Sequence, residues 1–330
     1  MHYPKFLERG LTIGITAPSA GVGDDIESFE KPLTNLKKEG YNLQETKSVR
    51  EKGIVSAPAK QRAKELDELV LDPNISMISF ATGGDFLLEM LPFINWYHIK
   101  ENPKWMMGYS DPTSILYTTT TFLDIATIYG PNAGGFDQEK LHNSLKNTLE
   151  ILKGNILEQH SFSKFQKEKN KEQDGYHLTE KVIWESINQE QVDITGRIIG
   201  GCLDCLKDII GTPCDQTKEF IEKYKKDGII FYFDVFSKSA EEFYLTLEQM
   251  RQAGWFQYCK GIIVGRVCFP MCFNEDFSYQ KALKKFSKDL PIIFNADIGH
   301  VPPKMTIING SIAHITCKDG KGTLKQVLKP

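Results

Sequence analysis

Three residues far apart in the chain, Ser110, Asp234 and His300, are of the types that together perform acyl transfer. A serine hydroxyl is a poor nucleophile until a base takes its proton, and an imidazole works best when an acid holds it. Ser110 lies in "WMMGYSDPTS" (residues 105–114), where a short apolar strand gives way to a helix started by Pro112. The junction reads in two ways. Either Ser110 or Asp111 caps the helix with Pro112 in its first turn, or the tight turn holds up a nucleophile. Asp234 ends the apolar run "GIIFYFDV", where a carboxylate is partly buried and needs a partner.

The chain has seven histidines, at 2, 98, 142, 160, 177, 300 and 314. His300 differs from the rest, because "NADIGHVPPKM" follows the strand "LPIIF" and is then locked by Pro302 and Pro303. A rigid loop at a strand end fixes an imidazole well. Backbone N–H groups near the serine would form the oxyanion hole. Asp111 can supply one, Pro112 cannot, and the turn "TGGD" (residues 82–85) brings Gly84 close with no side chain in the way.

The elements that must carry these residues alternate over the first 150 positions. "LTIGITA", "ISMISFA", "KWMMG" and "IATIYG" read as buried strands. "IESFEKPLTNLKKEG", "SAPAKQRAKELDELVLDP" with a Ser56 cap, "FLLEMLPFI" and "PTSILYTTTTFLD" read as helices. Such alternation predicts a doubly wound parallel sheet, and ligands then bind beyond the carboxyl ends of its strands. The stretches "TGGD" and "YSDP" fall at those ends, so Gly83, Gly84 and Ser110 share one rim, with Gly83 and Asp85 candidate oxyanion or substrate-binding residues beside Gly84 and Asp111. Residues 156–178 are polar, charged and aperiodic, and are expected to form a linker or long loop without chemistry. The remainder, 179–330, reads as a smaller β-rich α/β domain, with Asn309-Gly310 signalling a hairpin within "MTIINGSIAHIT". The expected domains are therefore 1–155 and 179–330.

Composition narrows the function. With 330 residues, 41% hydrophobic and 25% charged, the chain has the make-up of a globular protein with a substantial core. A formal net charge of -3 gives no pull toward nucleic acid or an anionic membrane. No apolar stretch is long enough to span a bilayer and "MHYPKFLERG" lacks a secretory run, so the cytoplasm is the expected compartment. Cys202 and Cys205 form a CxxC, but "CFPMC" (268–272) has the wrong spacing to complete a zinc ribbon, so structural thiols and no metal or cofactor are expected.

The series "IGITAPS", "TGGDFLLEMLP", "GYSDPTSIL", "GRIIGGCLDCL", "IIFYFDV" and "ADIGHVPP", spanning residues 11–303, resembles the LD-carboxypeptidase family, which includes muramoyl-tetrapeptide carboxypeptidases and microcin C immunity peptidases. The resemblance implies a flavodoxin-like N-terminal domain, a smaller β-rich C-terminal domain, a metal-independent serine peptidase and a homodimer. It implies that Ser110 is the nucleophile, His300 the base, and Gly84 with Asp111 the oxyanion donors. Where the family has a glutamate, this chain has Asp234, shorter by one methylene or roughly 1.5 Å. Either the backbone shifts to compensate or the histidine is less well held. The expected substrate is a muropeptide ending in D-alanine. The alternatives are an aminoacyl-nucleotide, on whose base Trp184 would stack if it is not core, and a non-catalytic binder of cell-wall fragments. A flavin-type redox protein is disfavoured, since "APSAGVGDD" has the wrong glycine spacing for a phosphate loop.

Overall fold

The computed structural model describes residues 1–170 and 172–330; Lys171, inside the stretch expected to be a linker, lies outside them. Strands Thr12–Thr16, Asn42–Glu45, Ile75–Phe80, Trp105–Gly108 and Thr127–Tyr129 pair in parallel, in the spatial order second, first, third, fourth, fifth. That is the flavodoxin-like order, whose switch point lies between the first and third strands. The strands are apolar on both faces because helices cover both: Ile13, Ile15, Met77 and Ile78 are all buried. Helix Ile26–Lys38 turns Phe29, Leu33 and Leu36 inward and stops before Gly40, whose φ of +97° suits a residue without Cβ.

Local details depart from the sequence reading. Helix Ala59–Leu71 has no side-chain cap; Ser56 instead donates its hydroxyl to the Ala17 carbonyl at 2.6 Å, tying the helix start to the end of the first strand. "FLLEMLPFI" forms a 3-10 segment, Leu88–Phe93, rather than an α-helix. Pro92 sits inside it and has no N–H to give to a longer α-helical ladder.

Among the described residues the second sheet has eight strands. Val192–Cys202, Ile229–Asp234, Cys259–Gly265 and Ile292–Ala296 form its parallel centre. Ile312–Lys318 and Lys321–Val327 extend it antiparallel on the side of Val192–Cys202. Asn309-Gly310 does not close a hairpin. Ile307–Asn309 pairs antiparallel with Thr127–Tyr129 in the first sheet, whereas Ile312–Lys318 pairs in the second. Gly310, at φ +85°, turns the chain from one sheet to the other. The true hairpin turns at Asp319-Gly320, both with positive φ. The expected linker is partly ordered into sheet: Gln159–His160 joins the strand Lys321–Val327, and Lys164–Phe165 pairs with Glu180–Lys181. Among the described residues no helix is long and apolar enough to cross a membrane.

Candidate active site

Ser110 lies two residues beyond the strand Trp105–Gly108 and precedes the helix Thr113–Leu123. Its φ is +68°, a left-handed conformation that costs a non-glycine residue roughly 1–2 kcal/mol. The capping reading fails here, because the helix has no side-chain cap. The Ser110 hydroxyl lies 3.0 Å from His300 Nε2 instead. The Asp111 carboxylate turns away from the helix and accepts hydrogen bonds from the Ser19 hydroxyl and, at 2.9 Å, from the Leu87 N–H. A sharp strand–turn–helix junction of this kind lifts a hydroxyl out of the sheet edge.

Asp234 and His300 come from the carboxyl edge of the second sheet. Asp234 is the last residue of the strand Ile229–Asp234, and His300 lies four residues beyond the strand Ile292–Ala296. His300 Nδ1 is 2.7 Å from Asp234 Oδ2. The two atoms are within hydrogen-bonding distance, although the angle at Nδ1 departs from that of an aligned hydrogen bond. The Asp234 carboxylate is fully buried and otherwise satisfied: the Tyr129 hydroxyl donates to Oδ2 at 2.6 Å and the His300 backbone N–H to Oδ1 at 3.2 Å. Burial by itself would raise its pKa, but the His300 charge and the hydrogen bonds outweigh it and hold the carboxyl below its ordinary value. Tyr129 also receives the Ser110 N–H at 3.4 Å, linking the nucleophile's backbone to the acid.

Gly299 makes this close approach possible. A Cβ built there would lie 2.0 Å from Asp234 Oδ1, and its φ of +97° is the glycine region. Phe236 and Tyr109 pack against the imidazole, tilted and edge-on, at centroid distances of 4.6 and 5.0 Å.

The sequence-derived oxyanion group is partly brought together. Gly83 abuts the serine, since a Cβ on it would stand 3.0 Å from Ser110 Oγ and 3.9 Å from the Asp111 nitrogen. Gly84 packs on Ser19 and Ala20, where a Cβ would overlap the Ser19 hydroxyl at 2.3 Å. Gly83, Gly84 and Ser110 line one cleft of about 330 Å³ at the switch point of the first sheet. Asp85 is exposed and lines neither that cleft nor its neighbour, so it is not brought to the serine with Gly83 and Gly84. Its influence reaches the site only as a like charge acting on Asp111.

A second cavity of about 470 Å³ shares Gly21, Thr82, Tyr109, Asn132 and His300 with the first. Gln166, Lys169, Gly175 and Tyr176 line it, so the charged stretch to which the sequence assigned no chemistry forms part of its wall. Lys304, also missed, lines it with its ammonium 3.1 Å from the Tyr109 ring centroid. Burial pushes the Lys304 pKa down to about 7, with Asp234 pulling the other way. The spacing His300-x-x-x-Lys304 in a proline-locked loop was the available signal.

Trp184 is core. It is 2% exposed and donates its indole N–H to Asp297 at 2.9 Å, so it is not available to stack on a base. Cys202 Sγ, an Asp234 oxygen and a His300 nitrogen lie within 4.8 Å of one another. The Cys202 thiol is 3.8 Å from Asp204 Oδ2, and the neighbouring Cys205 thiol together with burial keeps it protonated by raising its pKa well above the ordinary value. All seven cysteines are free thiols.

Burial pushes the Asp111 carboxyl up to about 6, with the Ser19 and Leu87 hydrogen bonds opposing it. The unfolded chain releases that proton near 3.8, so the folded protein binds more protons between these values and stability falls as pH rises through the window. The expected loss from this group is on the order of 3 kcal/mol between pH 4 and 6.5. Asp111→Asn keeps an oxygen for Ser19 and Leu87 and should flatten the profile. Urea unfolding of both proteins across that range checks this, and parallel curves would refute it.

A two-domain α/β protein with a serine elbow facing a histidine–carboxylate pair has the architecture of a serine hydrolase. The family models for the LD-carboxypeptidase N-terminal domain (residues 13–130) and C-terminal domain (residues 195–315) both match, and the chain belongs to this family of serine peptidases. It is 26% identical to a Vibrio cholerae protein named "Putative carboxypeptidase", covering 92% of each chain. It is likewise 26% identical to the microcin C7 self-immunity protein MccF of Escherichia coli, covering 91% of this chain and 89% of the relative. The crystal structure of an MccF-like protein from Bacillus anthracis superposes with a TM-score of 0.85 at 25% identity, over 100% of both chains.

Proposed function

We propose that the protein is a serine carboxypeptidase that hydrolyses the L,D-peptide bond to a terminal D-alanine of muropeptides through an acyl-enzyme. The observation that supports serine catalysis is the path from Ser110 Oγ to His300 Nε2 at 3.0 Å and from His300 Nδ1 to Asp234 at 2.7 Å, and the carboxypeptidase part of the reading rests on the family. His300 takes the Ser110 proton as the oxygen attacks the scissile carbonyl, and Asp234 stabilises the imidazolium that forms. The Gly84 and Asp111 N–H groups receive the developing oxyanion. His300 then hands its proton to the leaving amine, and a water molecule deprotonated by His300 releases the peptide from Ser110.

A second reading, hydrolysis of an aminoacyl-nucleotide, is favoured by the similarity to MccF. The burial of Trp184 removes one means of holding a base there. Mass spectrometry after incubation separates the two. Loss of one alanine from a muramyl tetrapeptide supports the first, and an intact tetrapeptide beside a cleaved aminoacyl-sulfamoyl nucleotide supports the second. A fluorophosphonate probe addresses catalysis itself: stoichiometric labelling of Ser110 is expected, and an unlabelled protein would leave a non-catalytic binder of cell-wall fragments.

A further inference from the structure

A peptidase that removes a C-terminal residue has to hold a carboxylate one carbon away from the nitrogen that leaves. The cavity contains a lysine without a counter-ion. Lys304 makes no ion pair and no hydrogen bond among the described residues, although its ammonium carries three donors. The ammonium rests 3.1 Å from the Tyr109 ring centroid, and Lys304 lines the 470 Å³ cavity. Of the other two cations near the site, Arg266 is ion-paired and Lys169 is exposed to solvent. Arg266 binds Asp297 and the carbonyls of Val301 and Pro303. Lys169 is the leading positive charge acting on Asp137.

Position agrees with this. The Tyr109 ring is 3.1 Å from the ammonium and 5.0 Å from the imidazole centroid, so the ammonium and the imidazole centroid are at most about 8 Å apart. An amino acid whose nitrogen accepts a proton from His300 Nε2 spans that interval with its own carboxylate. Asp24, Asp25 and Asp137 line the rest of the cavity and repel an anion, which restricts a carboxylate to the Lys304 end.

We infer that Lys304 binds the C-terminal carboxylate of the substrate and thereby selects peptides with a free C-terminus. The inference rests on the carboxypeptidase reading above. A charge-assisted hydrogen bond formed out of bulk water is worth about 10- to 100-fold in affinity.

Binding in the absence of turnover tests it. N-acetyl-L-lysyl-D-alanine and its C-terminal amide are titrated by calorimetry into the Ser110→Ala protein and into the same protein carrying Lys304→Met. Methionine keeps the length of the stem and removes the charge. The acid is expected to bind about 10- to 100-fold more tightly than the amide when Lys304 is present. With Lys304→Met the two should bind equally, the amide unchanged, and Lys304→Arg should restore part of the difference. Equal binding of acid and amide to the Lys304 protein overturns the assignment, as does a preference that survives Lys304→Met or an absence of binding by either. A Lys304 effect seen only with an aminoacyl-sulfamoyl nucleotide also overturns it, since the anion would then not be a carboxylate. Fluorophosphonate labelling of the wild-type Ser110 reads catalysis independently. Labelling without a carboxylate preference removes the Lys304 assignment and leaves the serine peptidase intact.

Discussion

Ser110→Ala is expected to lower kcat on the order of a million-fold, the scale seen when a serine peptidase loses its nucleophile. The reason is geometric. The hydroxyl makes its 3.0 Å contact with His300 and caps no helix, so its removal takes away the attacking atom and disturbs little else. A helix-cap serine would behave differently: its loss would cost about 0.5–2 kcal/mol of stability and leave chemistry untouched. Single-turnover and steady-state assays with the muramyl tetrapeptide, alongside urea unfolding, read both quantities. A variant retaining a tenth of wild-type turnover would remove Ser110 from the mechanism.

Asp234→Asn should lower kcat by about three to four orders of magnitude with little change in KM, because the amide neither fixes the imidazole tautomer nor stabilises the imidazolium. The structure also decides between the two outcomes the sequence left open for Asp234→Glu. Asp234 is fully buried and its carboxylate already touches Nδ1 at 2.7 Å. It fills the space above Gly299, where even a Cβ would stand 2.0 Å from Oδ1. The backbone is therefore set for an aspartate. An added methylene overpacks the site by about 1–3 kcal/mol, a fall of roughly ten- to a hundredfold in rate. Crystal structures and rates of both variants check this. An Asp234→Asn protein with unchanged turnover would mean that another group orients His300, and a Glu variant more active than wild type would contradict the packing argument.

Much of the site was legible because its parts sit at the ends of local patterns. Ser110, Asp234 and His300 each follow an apolar run whose length and composition read as a buried parallel strand, and such strand ends converge in doubly wound sheets. Gly83 and Gly84 were readable for the same reason. Pattern failed where one local signal is compatible with two long-range pairings. Asn309-Gly310 specifies a tight turn, but nothing in the dipeptide says whether the strands flanking it pair with each other. Here they join different sheets, because Ile307–Asn309 completes the edge beside Thr127–Tyr129. Ser56 and Asp111 looked like caps, and both hydrogen-bond across to other segments instead.

What the sequence by itself determined is the order and type of the main elements, and the chemistry available at their ends. Apolar periodicity and turn residues act over a few positions, and those positions are contiguous in the chain. Only the tertiary structure decided which of these ends meet. His300 reaches Ser110 across 190 residues, Tyr129 reaches Asp234 across 105, and Lys304 comes to rest on Tyr109. Each contact depends on two sheets presenting their carboxyl edges to one cleft. That arrangement is set by the burial of both sheets and the pairing of their edges, which no local pattern encodes.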